Sequence, residues 1–347
     1  MLSRGFKIVQ PKRFEVYIEE LAINEGEAVV KIESAAICKA DLRYYLGKRD
    51  ERVLGLKYPI NLIHEAVGVI VKDNTGKFNI GDKVALVPNI IPGGHIKEDC
   101  EICCDERLGE NYCTKALFAS SNYDGFSKEY VSYPTSNLVK IDNNIDSNVA
   151  VFSELISVAN ASIRRISLKE DDVVAIWGDG LLGYVLCSVL KQKHKGKIIV
   201  IGHNRDKLDK MEGVYTYLSD EPEIKSRKIN VAFECIGGMA SEKGIEEIIN
   251  TILPGGKVVL TGVAENAVAI NTRKILEKGI SLYGVTRSSE GDFKVAAELF
   301  RNPEFYKDIS KLILKTVPIY DIKDYYKVFE EESESRMLGK RIMNFKF

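Results

Sequence analysis

At 347 residues, with 49 basic and 50 acidic side chains and a net charge of −1, the chain is longer than one ordinary hydrophobic core and fits two units at about 150 residues per domain. The charge balance excludes a general attraction to nucleic acid or an anionic membrane, so any affinity for anions must be local. No stretch reaches the roughly 18 apolar residues of a membrane span, and MLSRGFKIVQPKRFEV lacks the apolar centre of a signal peptide, so a soluble cytoplasmic protein is expected.

Residues 1–150 carry short β-rich runs, EAVVKIESAAI, AVGVIV, KVALVP and YVSYP, separated by Gly, Asp, Asn and Pro. That pattern predicts a partly open β-barrel or sandwich. Within it, Cys38-Lys39-Ala40-Asp41 follows an apolar strand and His64-Glu65 follows PINLI. Cysteine, histidine and carboxylate are the ligand types of a catalytic zinc, which takes three protein ligands and keeps an open position. Singly, a cysteine after a strand is usually core and a His-Glu pair usually surface. Together, ahead of a nucleotide-binding pattern, they form a candidate metal site. A third ligand must come from elsewhere, and Glu154, at the junction of the two halves, is the candidate. Its plainer reading is a helix N-terminal acid favoured by the dipole.

Four of the seven cysteines crowd into Cys100, Cys103, Cys104 and Cys113, whereas Cys38, Cys187 and Cys235 stand alone. In a cytosolic chain that clustering suggests metal rather than disulfides.

From residue 151 apolar runs alternate with helical stretches: VVAIW, LLGYVLCSVLKQKHK, KIIVIG, NVAFECIG and KVVLTGV. This α/β rhythm predicts a doubly wound parallel sheet over 151–286. Gly178-Asp179-Gly180-Leu181-Leu182-Gly183 is a G-x-G-x-x-G placed directly after the first strand and opening a helix. The first glycine permits the tight turn, the second lets a pyrophosphate approach the backbone, and the third lets helix and strand pack closely. An acid at the end of the second strand would hold an adenosine 2′-hydroxyl, but the chain reads Gly202-His203-Asn204-Arg205-Asp206-Lys207. Arg205, with His203 or Lys207, could meet a 2′-phosphate, which favours NADP over NAD. Arg205 and Lys207 as ordinary surface cations, with Asp206 close by, are the competing reading.

Residues 287–347 return to mixed character and are assigned to completing the first domain. The acidic run Glu330, Glu331, Glu332 is expected to be a solvated helix face.

On Cys38-x-x-Asp41, His64-Glu65, Glu154 and the glycine motif, the chain resembles the zinc-containing medium-chain dehydrogenases over nearly its full length. The resemblance implies a GroES-like catalytic domain joined to a Rossmann domain. It implies Cys38, His64 and Glu154 as zinc ligands, Glu65 as an adjacent or exchanging ligand, and Asp41 as the acceptor that orients His64. Many relatives carry Ser or Thr where this chain has Ala40, and that hydroxyl relays the alcohol proton. Here water, Glu65 or the substrate's own hydroxyls must serve. The family often holds a second, structural zinc with C-x2-C-x2-C-x7-C spacing, to which the lobe Cys100, Cys103, Cys104 and Cys113 corresponds in place but not in spacing. A lobe with free thiols is the alternative.

ICKADLRYYLGKRDERVL, LIHEAVG, YDGFSKEYV, WGDGLLGY, AFECIGG and INTRKILEKGISLYGVTRSS are similar to one branch, the NADP-dependent ribulose-5-phosphate reductases, or ribitol-5-phosphate dehydrogenases, of CDP-ribitol synthesis for teichoic acid and capsule. The resemblance implies reversible reduction of D-ribulose 5-phosphate at C2, with zinc as Lewis acid and NADPH as hydride donor. Lys39, Arg43, Arg49 and Arg287 are candidates for the substrate phosphate. It further implies a homodimer or homotetramer and a functional link to a ribitol-5-phosphate cytidylyltransferase. The competing readings are a zinc polyol dehydrogenase for an unphosphorylated alditol such as sorbitol or xylitol, and a non-catalytic nucleotide-binding relative.

Overall fold

Buried residues dominate the strand Glu27–Ala36, where β-branched and small side chains line a sheet covered on both faces. The computed structural model describes residues 1–92 and 95–346 and divides into two units, Met1–Ser157 with Ser288–Phe347, and Val158–Arg287. The sequence reading put the first boundary at 150. The contacts move it to 157, because the turn Ser147–Ala150 packs under the first unit's sheet and Ser157 hydrogen-bonds Ser288 at 2.7 Å.

In the first unit a seven-stranded sheet runs in the order Leu138–Ile141, Lys83–Leu86, Glu65–Asp73, Glu27–Ala36, Lys340–Phe345, Ile313–Ile319, with Tyr130–Pro134 also paired to Glu27–Ala36. The pairs are antiparallel except the last two strands, which run parallel. Strand Lys340–Phe345 enters the sheet through Met343 opposite Ala35 and Ile342 opposite Ala36, so the end of the chain closes the unit begun at residue 1. A smaller sheet pairs Leu2–Gln10 with Arg13–Glu20 and Ile60–Asn61. Its buried Phe6 and Phe14 meet Tyr325 at ring-centroid distances of 4.6 and 4.8 Å. Tyr325, Val328 and Phe329 recur at helical spacing on Ile322–Glu334 and form its buried stripe. The acidic run on that helix is not wholly solvated: Glu330 is exposed, but Glu331 and Glu332 hold Arg341 at 2.8 and 3.1 Å.

The second unit is a six-stranded sheet, all parallel, ordered Tyr215–Leu218, Ile198–Gly202, Val174–Trp177, Val231–Glu234, Lys257–Leu260, Ser281–Gly284. Counted along the chain this is the order 3-2-1-4-5-6, whose direction reverses between the first and fourth strands and leaves a crevice at their carboxyl ends. Gly178 stands at that reversal, directly after the fully buried strand Val174–Trp177. Among the described residues no helix is long and apolar enough to cross a membrane.

Candidate active site

In the first unit, Cys38 stands at the end of strand Glu27–Ala36 and caps the helix Lys39–Tyr45. His64 and Glu65 enter the neighbouring strand, so two adjacent strands deliver three donors to one place. The ligand atoms of Cys38, His64 and Glu65 all lie within 4.8 Å of one another. A thiol, an imidazole and a carboxylate at this spacing, with the imidazole's other nitrogen facing an acid, suit a zinc ion with one position left for substrate.

Asp41 organises this pocket. Its fully buried carboxylate accepts the backbone N–H of Cys38 at 2.9 Å and of Ile63 at 3.1 Å, and the hydroxyl of Ser120. It also lies 3.6 Å from Nδ1 of His64. Ile63 and Ser120 both hold left-handed backbone, with φ of 76° and 65°, a conformation that costs a non-glycine residue of order 1 kcal/mol or more. Both residues give a hydrogen bond to Asp41, which holds that backbone in place. Burial works against a charged Asp41, but His64, Ser120 and the Cys38 amide outweigh it and lower its pKa. Burial likewise opposes the imidazolium of His64, and the Asp41 carboxylate reverses that and raises its pKa well above the usual histidine value.

Glu65 has a partner that local sequence does not reveal. Lys340, buried on the last strand, places Nζ between both carboxylate oxygens of Glu65, 2.5 Å from Oε2, and 3.1 Å from the carbonyl of Ile37. Burial disfavours its charge, and Glu65 more than restores it, raising the lysine pKa. Glu154, the expected third ligand, lies outside the group formed by Cys38, His64 and Glu65. It is buried in the first turn of Ser153–Arg164, and desolvation pushes its pKa up to about 7, with His64 and Lys340 opposing and Glu65 and Asp41 reinforcing the shift. Glu154 is thus a buried carboxyl that interacts electrostatically with His64, Glu65, Lys340 and Asp41, beside the group formed by Cys38, His64 and Glu65.

The cysteine lobe also departs from expectation. His95, Cys100, Cys103 and Cys113 bring their ligand atoms within 4.8 Å of one another, with His95 Nε2 3.6 Å from Cys103 Sγ and 3.5 Å from Cys113 Sγ. Cys104 is turned away: its exposed thiol donates to the carbonyls of Lys97 and Glu98 at 3.3 and 3.4 Å. Successive residues on the turn Glu101–Cys104 project about 100° apart, so Cys103 and Cys104 cannot face one ion. With three thiols, the His95 imidazole makes a donor set that suits tetrahedral zinc.

In the second unit the three glycines of the motif do different things. A Cβ on Gly183 would lie 2.0 Å from the carbonyl oxygen of Gly178, and Gly178 itself has φ of 129°. A Cβ on Gly180 would meet nothing within 4 Å. Gly180 caps the thirteen-residue helix Leu181–Lys193, so that space lies over free helical N–H groups, where a pyrophosphate binds. Leu181 and Leu182 are half-buried in the first turn. Asp179 reaches across to the end of the second strand, where Oδ2 accepts the backbone N–H of His203 and of Asn204, each at 2.7 Å. The His203 ring nitrogen Nδ1 meets the hydroxyl of Ser219 at 2.9 Å, and Arg205 is ion-paired with Glu221. Lys207 lies in the same short helix, with its amide bonded to the Asn204 side chain at 3.1 Å. Glu234, buried at the reversal point, accepts N–H groups from Ile236, Gly237 and Gly262 at 2.8, 2.9 and 3.0 Å and so shapes two strand-end loops.

Of the phosphate candidates, Lys39 is exposed beside Cys38, Arg43 is half-buried on the same helix, and Arg49 lies 4.4 Å over the ring of Tyr44. Arg287 belongs to the second unit, has φ of 60°, and burial lowers its pKa. Sequence reasoning missed Lys340, Ser120, His95 and Glu221, none of which falls in a local motif.

Residues 24–143 match the model of the alcohol dehydrogenase GroES-like domain and residues 182–302 that of the zinc-binding dehydrogenases. The chain is 34% identical to a ribulose-5-phosphate reductase of Bacillus spizizenii, over 99% of both chains. It is also 34% identical to ribulose-5-phosphate reductase 2 of Staphylococcus aureus, again over 99% of both. Among solved structures it is similar to S. aureus TarJ in complex with NADPH, with a TM-score of 0.86, 31% identity and complete coverage of both chains.

Proposed function

This chain belongs to the zinc-binding alcohol dehydrogenases, in the group of the ribulose-5-phosphate reductases, and from that premise we propose that it reduces D-ribulose 5-phosphate to D-ribitol 5-phosphate with NADPH, reversibly. The observation that carries the reading is the Cys38, His64, Glu65 pocket with its Asp41 anchor, in a chain that matches these reductases from end to end.

When bound, zinc supplies Lewis-acid polarisation of a carbonyl and NADPH supplies the hydride. The rest falls to the chain. Cys38 and His64 would hold the ion with a carboxylate as third ligand, Glu154 or, in exchange, Glu65, and Asp41 would fix the imidazole's orientation and tautomer. Lys340 offsets the charge of Glu65 and occupies both its oxygens, so Glu65 is not free to carry a proton. With Ala40 in place of a hydroxyl, water or the substrate's own hydroxyls would carry the proton, beside the buried Glu154 carboxyl, whose pKa desolvation raises. In the second unit, the open space over Gly180 would take the pyrophosphate, and His203, Arg205 and Lys207 the adenosine phosphate. Lys39, Arg43 and Arg49 of the first unit are the proposed sources of charge for the sugar phosphate. His95, Cys100, Cys103 and Cys113 would hold a structural zinc. The open edge of strand Ser281–Gly284 supports pairing with a second copy into a dimer or tetramer, and a cytidylyltransferase in the cytoplasm would consume the product.

The test is NADPH oxidation with D-ribulose 5-phosphate, D-ribulose and fructose, with and without a chelator, repeated with NADH. Turnover confined to the phosphosugar, dependent on metal and stronger with NADPH, supports the reading. Equal turnover of free sugars makes the chain a general polyol dehydrogenase, and absence of turnover on all three removes the proposal.

A further inference from the structure

The end of the second strand in the nucleotide-binding unit holds an arginine that is already engaged. Arg205 Nη2 is paired with Glu221 Oε1, and the two side chains are 42% and 30% exposed, so the pair sits at the surface of the crevice rather than beneath it. Glu221 is not there by chance of rotamer alone. Its N–H is bonded to the carbonyl of Leu218 at 3.0 Å, and its own carbonyl accepts from Ile224 at 3.3 Å. Its backbone is therefore set by the turn that follows strand Tyr215–Leu218. That strand end is in turn tied to the neighbouring one by the Ser219 amide, 2.9 Å from the carbonyl of Gly202.

The other donors at this position are also partly spent. The amides of His203 and Asn204 both point at Asp179 Oδ2, the Asn204 side chain caps Lys207, and His203 Nδ1 is bonded to Ser219. Gly202 cannot be replaced without disturbing this, since a Cβ there would lie 2.5 Å from Asp179 Oδ2. Asp179 thus occupies the amides of His203 and Asn204, and the guanidinium of Arg205 is a charge that an adenosine 2′-phosphate would meet here, beside Lys207. A 2′-phosphate carries more negative charge than one carboxylate and offers oxygens that fit the guanidinium fork. An adenosine 2′-hydroxyl carries no charge and cannot compete with Glu221.

We propose that Glu221 tempers the preference for NADPH over NADH by holding Arg205 in the free protein, so that a 2′-phosphate must displace the carboxylate to gain the guanidinium. The inference rests on the reading that this unit binds a nicotinamide dinucleotide. Glu221 is a specificity-determining residue that acts through Arg205: it lowers the affinity for NADPH by the strength of the ion pair that must be broken and leaves NADH untouched.

Equilibrium binding tests this without turnover. The single tryptophan, Trp177, directly precedes Gly178, so energy transfer from it to bound NADPH or NADH reports occupancy. E221Q keeps the shape and removes the charge. It is expected to tighten NADPH about two- to fivefold, the range that an exposed ion pair is worth, and to leave NADH within experimental error. R205A is expected to weaken NADPH roughly tenfold, with NADH unchanged. In the double variant, E221Q should have no further effect on NADPH. Thermal unfolding of each variant checks that the second unit is intact, and E221A replaces E221Q if the latter is unstable. An unchanged NADPH affinity in E221Q, an equal change for both cofactors, or an R205A protein that binds NADPH normally overturns the inference while leaving the cofactor reading standing. If the unmodified chain binds neither dinucleotide, the cofactor reading falls and the inference with it.

Discussion

The carboxylate of Asp41 lies 3.6 Å from Nδ1 of His64 and at the same time accepts the amide of Cys38, two residues that enter from different strands. One buried acid therefore aims the imidazole and fixes the backbone of the thiol. It also stabilises the left-handed backbone of Ile63, immediately before His64.

Asp41→Asn should accordingly lower zinc affinity by about 10- to 100-fold, the usual cost of losing a partner that orients a metal-bound histidine. Ser120→Ala removes one hydrogen bond to the same buried carboxylate and should cost about 1.5–3 kcal/mol of stability, with a smaller loss of zinc. Metal analysis after dialysis against graded chelator, together with denaturant unfolding, measures both. Full zinc retention in D41N would refute the anchoring role.

Lys340→Met leaves Glu65 charged and buried without its partner and should destabilise the first unit by about 3–5 kcal/mol. Adding Glu65→Gln should restore most of that stability, because the uncompensated charge is gone, yet should not restore zinc binding. Equal stabilities of the single and double variants would show that the ion pair of Lys340 with Glu65 carries no such weight.

For the cysteine lobe, the expected zinc content is two ions per chain, falling to one in His95→Ala or Cys113→Ser and staying at two in Cys104→Ser, since the Cys104 thiol faces the carbonyls of Lys97 and Glu98. Thiol titration of the zinc-loaded chain should find Cys104 reactive and Cys100, Cys103 and Cys113 protected. A loss of zinc in C104S would restore the ligand set suggested by the cysteine spacing.

Gly180→Ala and Gly183→Ala should separate binding from folding. The added methyl at 180 enters space empty to 4 Å, so the protein should unfold normally while NADPH binds at least tenfold more weakly, measured through Trp177. The methyl at 183 would sit 2.0 Å from the Gly178 carbonyl, so that variant should lose stability as well as binding. Normal NADPH affinity in G180A would place the pyrophosphate elsewhere.

What the sequence determined by itself was whatever lies within one or two elements of the chain. Alternation of buried strands and helices specifies the parallel sheet, because each strand and each crossing helix carries its own periodicity. The glycine motif declares itself because the turn, the close approach and the packing it serves fall within six consecutive residues. Cys38 and Asp41 share one helical turn, and His64 and Glu65 are neighbours, so their chemistry could be read together. The tertiary structure decided the rest, because a buried charge must be satisfied by whatever residue the fold brings within reach, wherever it lies in the chain. Lys340 is 275 residues from Glu65 and Ser120 is 79 from Asp41, and no pattern links either pair. The convergence of His95 with Cys100, Cys103 and Cys113 while Cys104 turns away, and the engagement of Arg205 by Glu221, depend on the direction in which each side chain leaves its backbone, which spacing leaves open and packing settles.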